Sequence, residues 1–263
     1  MWLRCTCDLR FDIAVPTPFA LMLRPQSGAH QWVAREEWEL TPCARVREFT
    51  DGYGNLCQRL LASPGPFSVH AAAEVATPDN VDEAPGAPFV EVQDLPDSAL
   101  AFLLPSRYCE CERFHGMASE ITLGSQPGYD QVARIVTWLR DAVVFEPGSS
   151  PTAVSAVEVN ERRWGVCRDL AHLGIALVRS LAVPARLVVG YLYGLCPMDM
   201  HAWFEAYVGD RWYTFDPSRP SLQGGYVAIG YGRDAADVAV YTQFGPTVYP
   251  TSQTVTVQQM PAR

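Results

Sequence analysis

The stretch RRWGVCRDLAHLGIALVRSLAVPARLVVGYL, Arg162 to Leu192, decides how the chain is read. Leu170, Leu173, Ala176, Leu177 and Leu181 recur at helical spacing and predict a buried helix. Ala185–Leu192 then reads as a strand. Cys167 follows Gly165 and opens the helical pattern, so it is expected in the first turn. There the backbone N–H groups lack intrahelical partners and the positive end of the helix dipole favours an anion. Such a setting lowers a thiol's pKa and makes it more nucleophilic. The plain alternative is a core cysteine.

Outward from this stretch, YDQVARIVTWLRDAV carries Val132, Ile135, Val136 and Leu139 at helical spacing. Downstream, strands are expected at His201–Val208, Trp212–Phe215 and Tyr226–Tyr231. Helices followed by an antiparallel sheet make this half α+β. The first hundred residues differ. Leu3, Cys5, Cys7, Leu9, Phe11 and Ile13 alternate with polar residues, a period of two that predicts a strand. Further short strands are expected at Phe19–Arg24, His30–Leu40, Cys43–Phe49, Leu56–Leu61 and Phe67–Val75, which together suggest an antiparallel sandwich. A proline- and carboxylate-rich stretch, ATPDNVDEAPGAPFVEVQDLPDS, separates the two halves. The expected division is residues 1–98 for the sandwich and 99–263 for the second unit.

The 263 residues include 29 acidic and 20 basic side chains, a balance that argues against nucleic acid or an anionic membrane surface as partner. No apolar run approaches the roughly 20 residues of a membrane span, and no secretory signal opens the chain, so a cytoplasmic protein is expected. The eight cysteines fit free thiols. Cys5 and Cys7 share one face of a strand, where core burial is simpler than metal ligation. With Cys109, Cys111 and His115 they do not follow the usual zinc spacings.

A nucleophilic thiol needs a base, and the base an orienting acceptor. His172 lies five positions after Cys167, rotated away from it, and reads as a packing residue. His30 and His70 fall in the sandwich, and His115 in an irregular region. His201 opens HAWFEAYVGDRWYTFDP. Gly209-Asp210 suits a two-residue hairpin loop, which pairs Val208 with Arg211. Counting back sets Trp203 opposite Asp216 and His201 opposite Ser218. Side chains repeat every two residues, so His201, Trp203 and Asp216 share a face, with Asp216 diagonal to His201.

WGVCRDLAHLGIAL, PARLVVGYL, DMHAWFEAYVGDRWYTFDPS and GRDAADVAV resemble the bacterial transglutaminase-like family, whose members are often described as candidate cysteine proteases. The resemblance spans about Gln131 to Gly245, and the N-terminal half is similar to the β-sandwich that precedes the core in that family. It implies a papain-like fold and a Cys–His–Asp triad carried by Cys167, His201 and Asp216. The backbone N–H of Cys167 is a natural first oxyanion donor. Trp164 and Asn160 are both candidates for the second, and the sequence does not choose between them. Arg168 and Asp169 are expected to make local polar contacts at the helix start. Glu205 shares the His201 face and points either at substrate or at solvent.

The resulting expectation is a thiol enzyme that forms an acyl-enzyme on a peptide or side-chain amide of a peptide or protein substrate, with no cofactor and no metal. Water as acceptor makes it a cysteine protease or amidase, and an amine makes it a transglutaminase. Hydrolysis is favoured because the chain shows no Asp-rich loop resembling a calcium site, whereas the animal cross-linking members are calcium-dependent. A scaffold that retains the fold without turnover would be marked by a missing triad member, and none is missing. A metal-dependent hydrolase suffers because His172 and His201 lack metal-ligand spacing.

Overall fold

The computed structural model describes residues 1–261. Its elements begin with six strands: β1 (Trp2–Ile13), β2 (Thr17–Leu21), β3 (Trp32–Thr41), β4 (Arg47–Thr50), β5 (Leu56–Ala62) and β6 (Gly65–Ala76). A helical region follows with α1 (Asp97–Leu100), α2 (His115–Ile121), α3 (Tyr129–Ala142), β7 (Val144–Phe145), α4 (Ala156–Arg162), β8 (Trp164–Gly165) and α5 (Cys167–Ser180). Then come β9 (Ala185–Leu192), β10 (His201–Val208), β11 (Arg211–Phe215), β12 (Tyr226–Gly232), β13 (Tyr241–Gln243) and β14 (Ser252–Met260). The fold is α+β.

The period of two in β1 becomes a buried face. Leu3, Cys5, Cys7, Leu9, Phe11 and Ile13 are all in the core, while the residues between them face outward. They belong to a sheet of order β14-β1-β6-β3, packed on a second of order β13-β2-β5-β4. Phe11 of one sheet meets Phe19 of the other with ring centroids 5.2 Å apart, the closely packed aromatic contact expected between facing sheets. Burial raises the thiols of Cys5 and Cys7 to about 12, as befits apolar packing residues.

Two local differences from expectation have physical reasons. The strand expected from Cys43 starts only at Arg47, because the ladder with β5 runs from Arg47 to Thr50 and Cys43 is exposed beyond it. Division of the chain at residue 98 does not carry through to its far end. β13 pairs with β2 and β14 pairs with β1 from Trp2 to Arg10, so both close the sandwich. Tyr241 brings its ring to Phe11 across that core.

The second half builds an antiparallel sheet of order β11-β10-β9-β12 with α5 laid against it. α5 is buried on nearly every side, which explains its continuous apolar composition. Gly174 lets it approach the sheet closely, since a Cβ there would stand 2.7 Å from the Phe204 ring. Gly209 and Asp210 take φ of 54° and 64°, the left-handed pair of a type I′ turn. The ladder therefore pairs Val208 with Arg211 and Phe204 with Phe215, the register read from the sequence. The proline-rich connection is laid down on this unit, with Tyr129 N–H donating to Ala87 O at 3.0 Å and Gly209 N–H to Pro88 O at 2.9 Å.

Candidate active site

Cys167 is the first residue of α5, so its N–H has no intrahelical acceptor. Asp169 fixes the entry to the helix. It is fully buried, its Oδ2 accepts the Val166 N–H at 3.3 Å, and Arg162 pairs with the same oxygen at 2.8 Å. Arg168 bonds the other carboxylate oxygen and the carbonyls of Ser150 and Thr152. These are the local contacts expected of Arg168 and Asp169, and they leave Cys167 partly exposed at the helix mouth.

The hairpin of β10 and β11 brings His201 and Asp216 together. His201 Nε2 lies 2.7 Å from Asp216 Oδ2, and both residues are buried. Ser218 donates its N–H and its hydroxyl to Asp216 Oδ1 at 2.9 and 2.6 Å. Tyr226 donates its hydroxyl to Oδ2 at 2.9 Å. The buried carboxylate thus accepts four hydrogen bonds. Burial alone would raise its pKa, but the bond and charge of His201, with Ser218 and Tyr226, bring it below the usual value.

Burial likewise works against the imidazolium of His201. The bond to Asp216 and the influence of the nearby Cys167 thiol outweigh it and lift the ring to about 10. Nδ1 is buried and lacks a hydrogen-bond partner of regular geometry. The Cys167 thiol is near enough to act on the ring without completing such a bond, as is common before substrate tightens a site. Trp203 covers the imidazole, its ring centroid 5.9 Å away and nearly parallel. Three elements, α5, β10 and the end of β11, therefore deliver a thiol, an imidazole and a carboxylate to one place.

The other singled-out residues sort differently. His172 is buried, its Nδ1 2.9 Å from Val154 O and its Nε2 accepting the Ala235 N–H, and it stacks on Tyr108. It packs, as its spacing suggested. Glu205 faces neither solvent nor an open cleft: it is buried against Arg186 at 2.6 Å, and that guanidinium sits between the Trp212 and Tyr231 rings. Trp164 is partly exposed beneath the Arg162 guanidinium, 4.1 Å from its centroid. Asn160 lies on α4, seven residues before Cys167, with Oδ1 buried and unbonded. Among the described residues no cluster of His, Cys, Asp and Glu is arranged to hold a metal, and no helix is long and apolar enough to cross a membrane.

Tyr226 is the site residue that sequence reasoning missed. Its strand was legible, but its hydroxyl reaches Asp216 only through the pairing of β12 with β9, a non-local register interrupted by a bulge after Ala228. No hairpin or spacing signals that contact.

Residues 115–217 match the family model of the transglutaminase-like superfamily, a span that holds Cys167, His201 and Asp216. Across the whole chain, the crystal structure of a proposed cysteine protease from Cytophaga hutchinsonii superimposes with a TM-score of 0.90 at 33% identity, covering 100% of this chain and 92% of that one. The chain belongs to the transglutaminase-like superfamily. Relatives of this member include an uncharacterized protein of Mycobacterium leprae, 27% identical over 86% of each chain. Another is an uncharacterized protein of Mycobacterium tuberculosis, 24% identical over 82% of this chain and 77% of that one.

Proposed function

We propose that this transglutaminase-like protein is a thiol hydrolase of peptide or side-chain amide bonds, with Cys167 as nucleophile, His201 as general base and acid, and Asp216 as its orienting carboxylate. The observation that carries the reading is the buried His201–Asp216 pair, which occupies Nε2 and leaves Nδ1 unpaired with the Cys167 thiol in electrostatic reach. With Asp216 holding the Nε2–H, the thiol proton passes to Nδ1 and the thiolate Sγ attacks the amide carbonyl carbon. The carbonyl electron pair moves onto oxygen.

The Cys167 N–H at the open end of α5 is the first donor to that oxyanion. Asn160 is the candidate second donor; its Oδ1 is buried without a hydrogen-bond partner, so no bond from that atom fixes the amide. Trp164, braced by Arg162, suits a wall against the substrate. Collapse of the tetrahedral species breaks the C–N bond, and the Nδ1 proton leaves with the amine. Water then gives a proton to Nδ1 and its oxygen attacks the thioester carbon. Loss of Sγ releases the acid and restores the thiol.

Intact mass spectrometry after exposure to a panel of amide and peptide donors tests this reading. A mass increase matching the acyl part of one donor, absent in Cys167→Ala, is expected. A panel that leaves the wild-type mass unchanged under conditions where that donor is consumed would rule out a covalent thiol route.

A further inference from the structure

In the sheet β11-β10-β9-β12, β12 is an edge strand with one side unpaired by any strand. An exposed edge is a row of unsatisfied backbone groups that proteins cover or disrupt. Here the cover is made of side chains from the N-terminal sandwich and the residue that follows it. Thr77 Oγ1 donates to Tyr226 O at 2.9 Å. Gln31 accepts the Ala228 N–H at 2.7 Å and donates to Ala228 O at 2.8 Å. Asn55 does the same with Tyr231, accepting its N–H at 2.7 Å and donating to its carbonyl at 2.7 Å.

A carboxamide carries the same donor and acceptor as a peptide group, so Gln31 and Asn55 each replace one residue of a neighbouring strand. The spacing fits. Residues 226 and 228 present backbone groups to the same side, and the bulge after Ala228 shifts the next outward position to Tyr231. Both amides are anchored behind, Gln31 on Gln26 O and Asn55 on Asp51.

The first residue of this covered edge is the one that touches the candidate dyad. Tyr226 donates to Asp216 Oδ2, the oxygen that also receives His201. Its ring packs edge-on against Trp203 at 5.0 Å and lies 6.2 Å from the imidazole. Burial and the neighbouring Asp216 hold its phenol protonated well beyond the usual range, so it is a permanent donor.

We propose that Tyr226 is a positioning residue for the Asp216–His201 pair, and that the sandwich keeps it in place by acting as the missing neighbour of β12. The proposal rests on the triad reading above for its catalytic meaning. By sharing Oδ2, the phenol fixes the carboxylate rotamer and draws off part of the charge that would otherwise fall on His201. The sandwich is then a structural part of the catalytic unit and not a tethered accessory.

The test follows the His201 ring by NMR through a pH titration of the full chain in a Cys167→Ala background. The ring is then faced by Asp216, just past the end of β11, and Tyr226 on β12. Arg140 of α3 bonds the Asp216 carbonyl at 2.9 Å, and Arg219 acts on Tyr226. Removing the thiol takes away one raising influence and makes the readout independent of nucleophilic chemistry, so failure of the acyl-enzyme reading leaves it intact. Tyr226→Phe keeps the ring and its packing, and is expected to move the His201 midpoint upward by about one pH unit. Gln31→Ala, or Thr77→Val should that variant not fold, is expected to move it in the same direction by less. In the Tyr226→Phe background the same change should add nothing, the non-additivity of groups acting through one contact. An unmoved midpoint in Tyr226→Phe overturns the positioning role. An equal displacement by Gln31→Ala in both backgrounds overturns the route through the sandwich.

Discussion

Asp216→Asn exchanges one oxygen for an NH2 group in a site that is fully buried and already saturated with donors. Ser218 presents two donors to Oδ1. Tyr226 and His201 present two more to Oδ2. An asparagine has one acceptor oxygen, so at least one side of this arrangement must face donor to donor. Keeping the oxygen towards Ser218 puts the amide NH2 against the imidazole. His201 then relieves the clash by turning Nε2 into an acceptor, which places its proton on Nδ1, where the thiol proton has to go. Wrong-tautomer imidazoles of this kind lower kcat by about 10⁴ in the serine-protease example, and a similar loss is expected here. Stability changes as well. The rise of His201 from its ordinary 6.5 to about 10 corresponds to about 5 kcal/mol at 1.36 kcal/mol per pH unit, an upper figure comparable with the 3–5 kcal/mol typical of breaking one side of a buried ion pair. A group with a raised folded pKa stabilises fully below its unfolded pKa and loses that contribution as pH climbs towards 10. The wild type should therefore lose stability between about pH 6.5 and 10, and Asp216→Asn should flatten that loss. Urea midpoints across this range, with turnover on whichever donor forms a thioester, report both effects. Turnover within tenfold of wild type in a folded variant would refute the orienting role of Asp216.

Four further outcomes are expected. Limiting iodoacetamide near neutral pH should label Cys167 ahead of the seven other cysteines in peptide maps, because it alone adjoins an imidazolium; preferential labelling of exposed Cys43 or Cys196 would count against it. With a glutamine-containing protein donor and a labelled primary amine at millimolar concentration, hydrolysis should exceed amine incorporation, and the reverse would make the protein an acyltransferase. His172 is buried neutral with Nε2 accepting a backbone N–H, and burial lowers its pKa. Stability should thus fall as pH drops below about 6.5, by up to about 1.4 kcal/mol per pH unit more than in His172→Gln; equal slopes would assign the acid sensitivity elsewhere. Gly174→Ala should lower stability by about 1–3 kcal/mol through overpacking against Phe204 and Leu139, and an unchanged unfolding midpoint would show that the helix can shift without strain.

What was legible in the sequence is what short-range geometry controls. The period of two in β1, the helical spacing of α5 and the Gly209-Asp210 turn each depend on neighbours a few residues away, and the turn alone carried the register from Val208 to Phe215, one residue short of Asp216. That register is why the imidazole and carboxylate can be paired from the sequence. Glu205 was misjudged because its partner Arg186 sits on β9, whose pairing with β10 is set by packing and not by a hairpin. β13 and β14 were missed for the same reason, since their partners β2 and β1 lie more than two hundred residues earlier. The return of the chain to the sandwich has a mechanical consequence. β14 not only pairs with β1 but also carries Gln253, whose amide donates to Asp199 at 2.7 Å, two residues before His201. The loop that delivers the imidazole is thus held from the sandwich on one side, while Gln31, Asn55 and Thr77 hold the strand of Tyr226 on the other. A thiol, an imidazole and a carboxylate on separate elements need common support to stay within hydrogen-bond reach. In this chain that support comes from residues whose roles are invisible in any local pattern, because they act by completing the backbone bonding of strands far away in sequence.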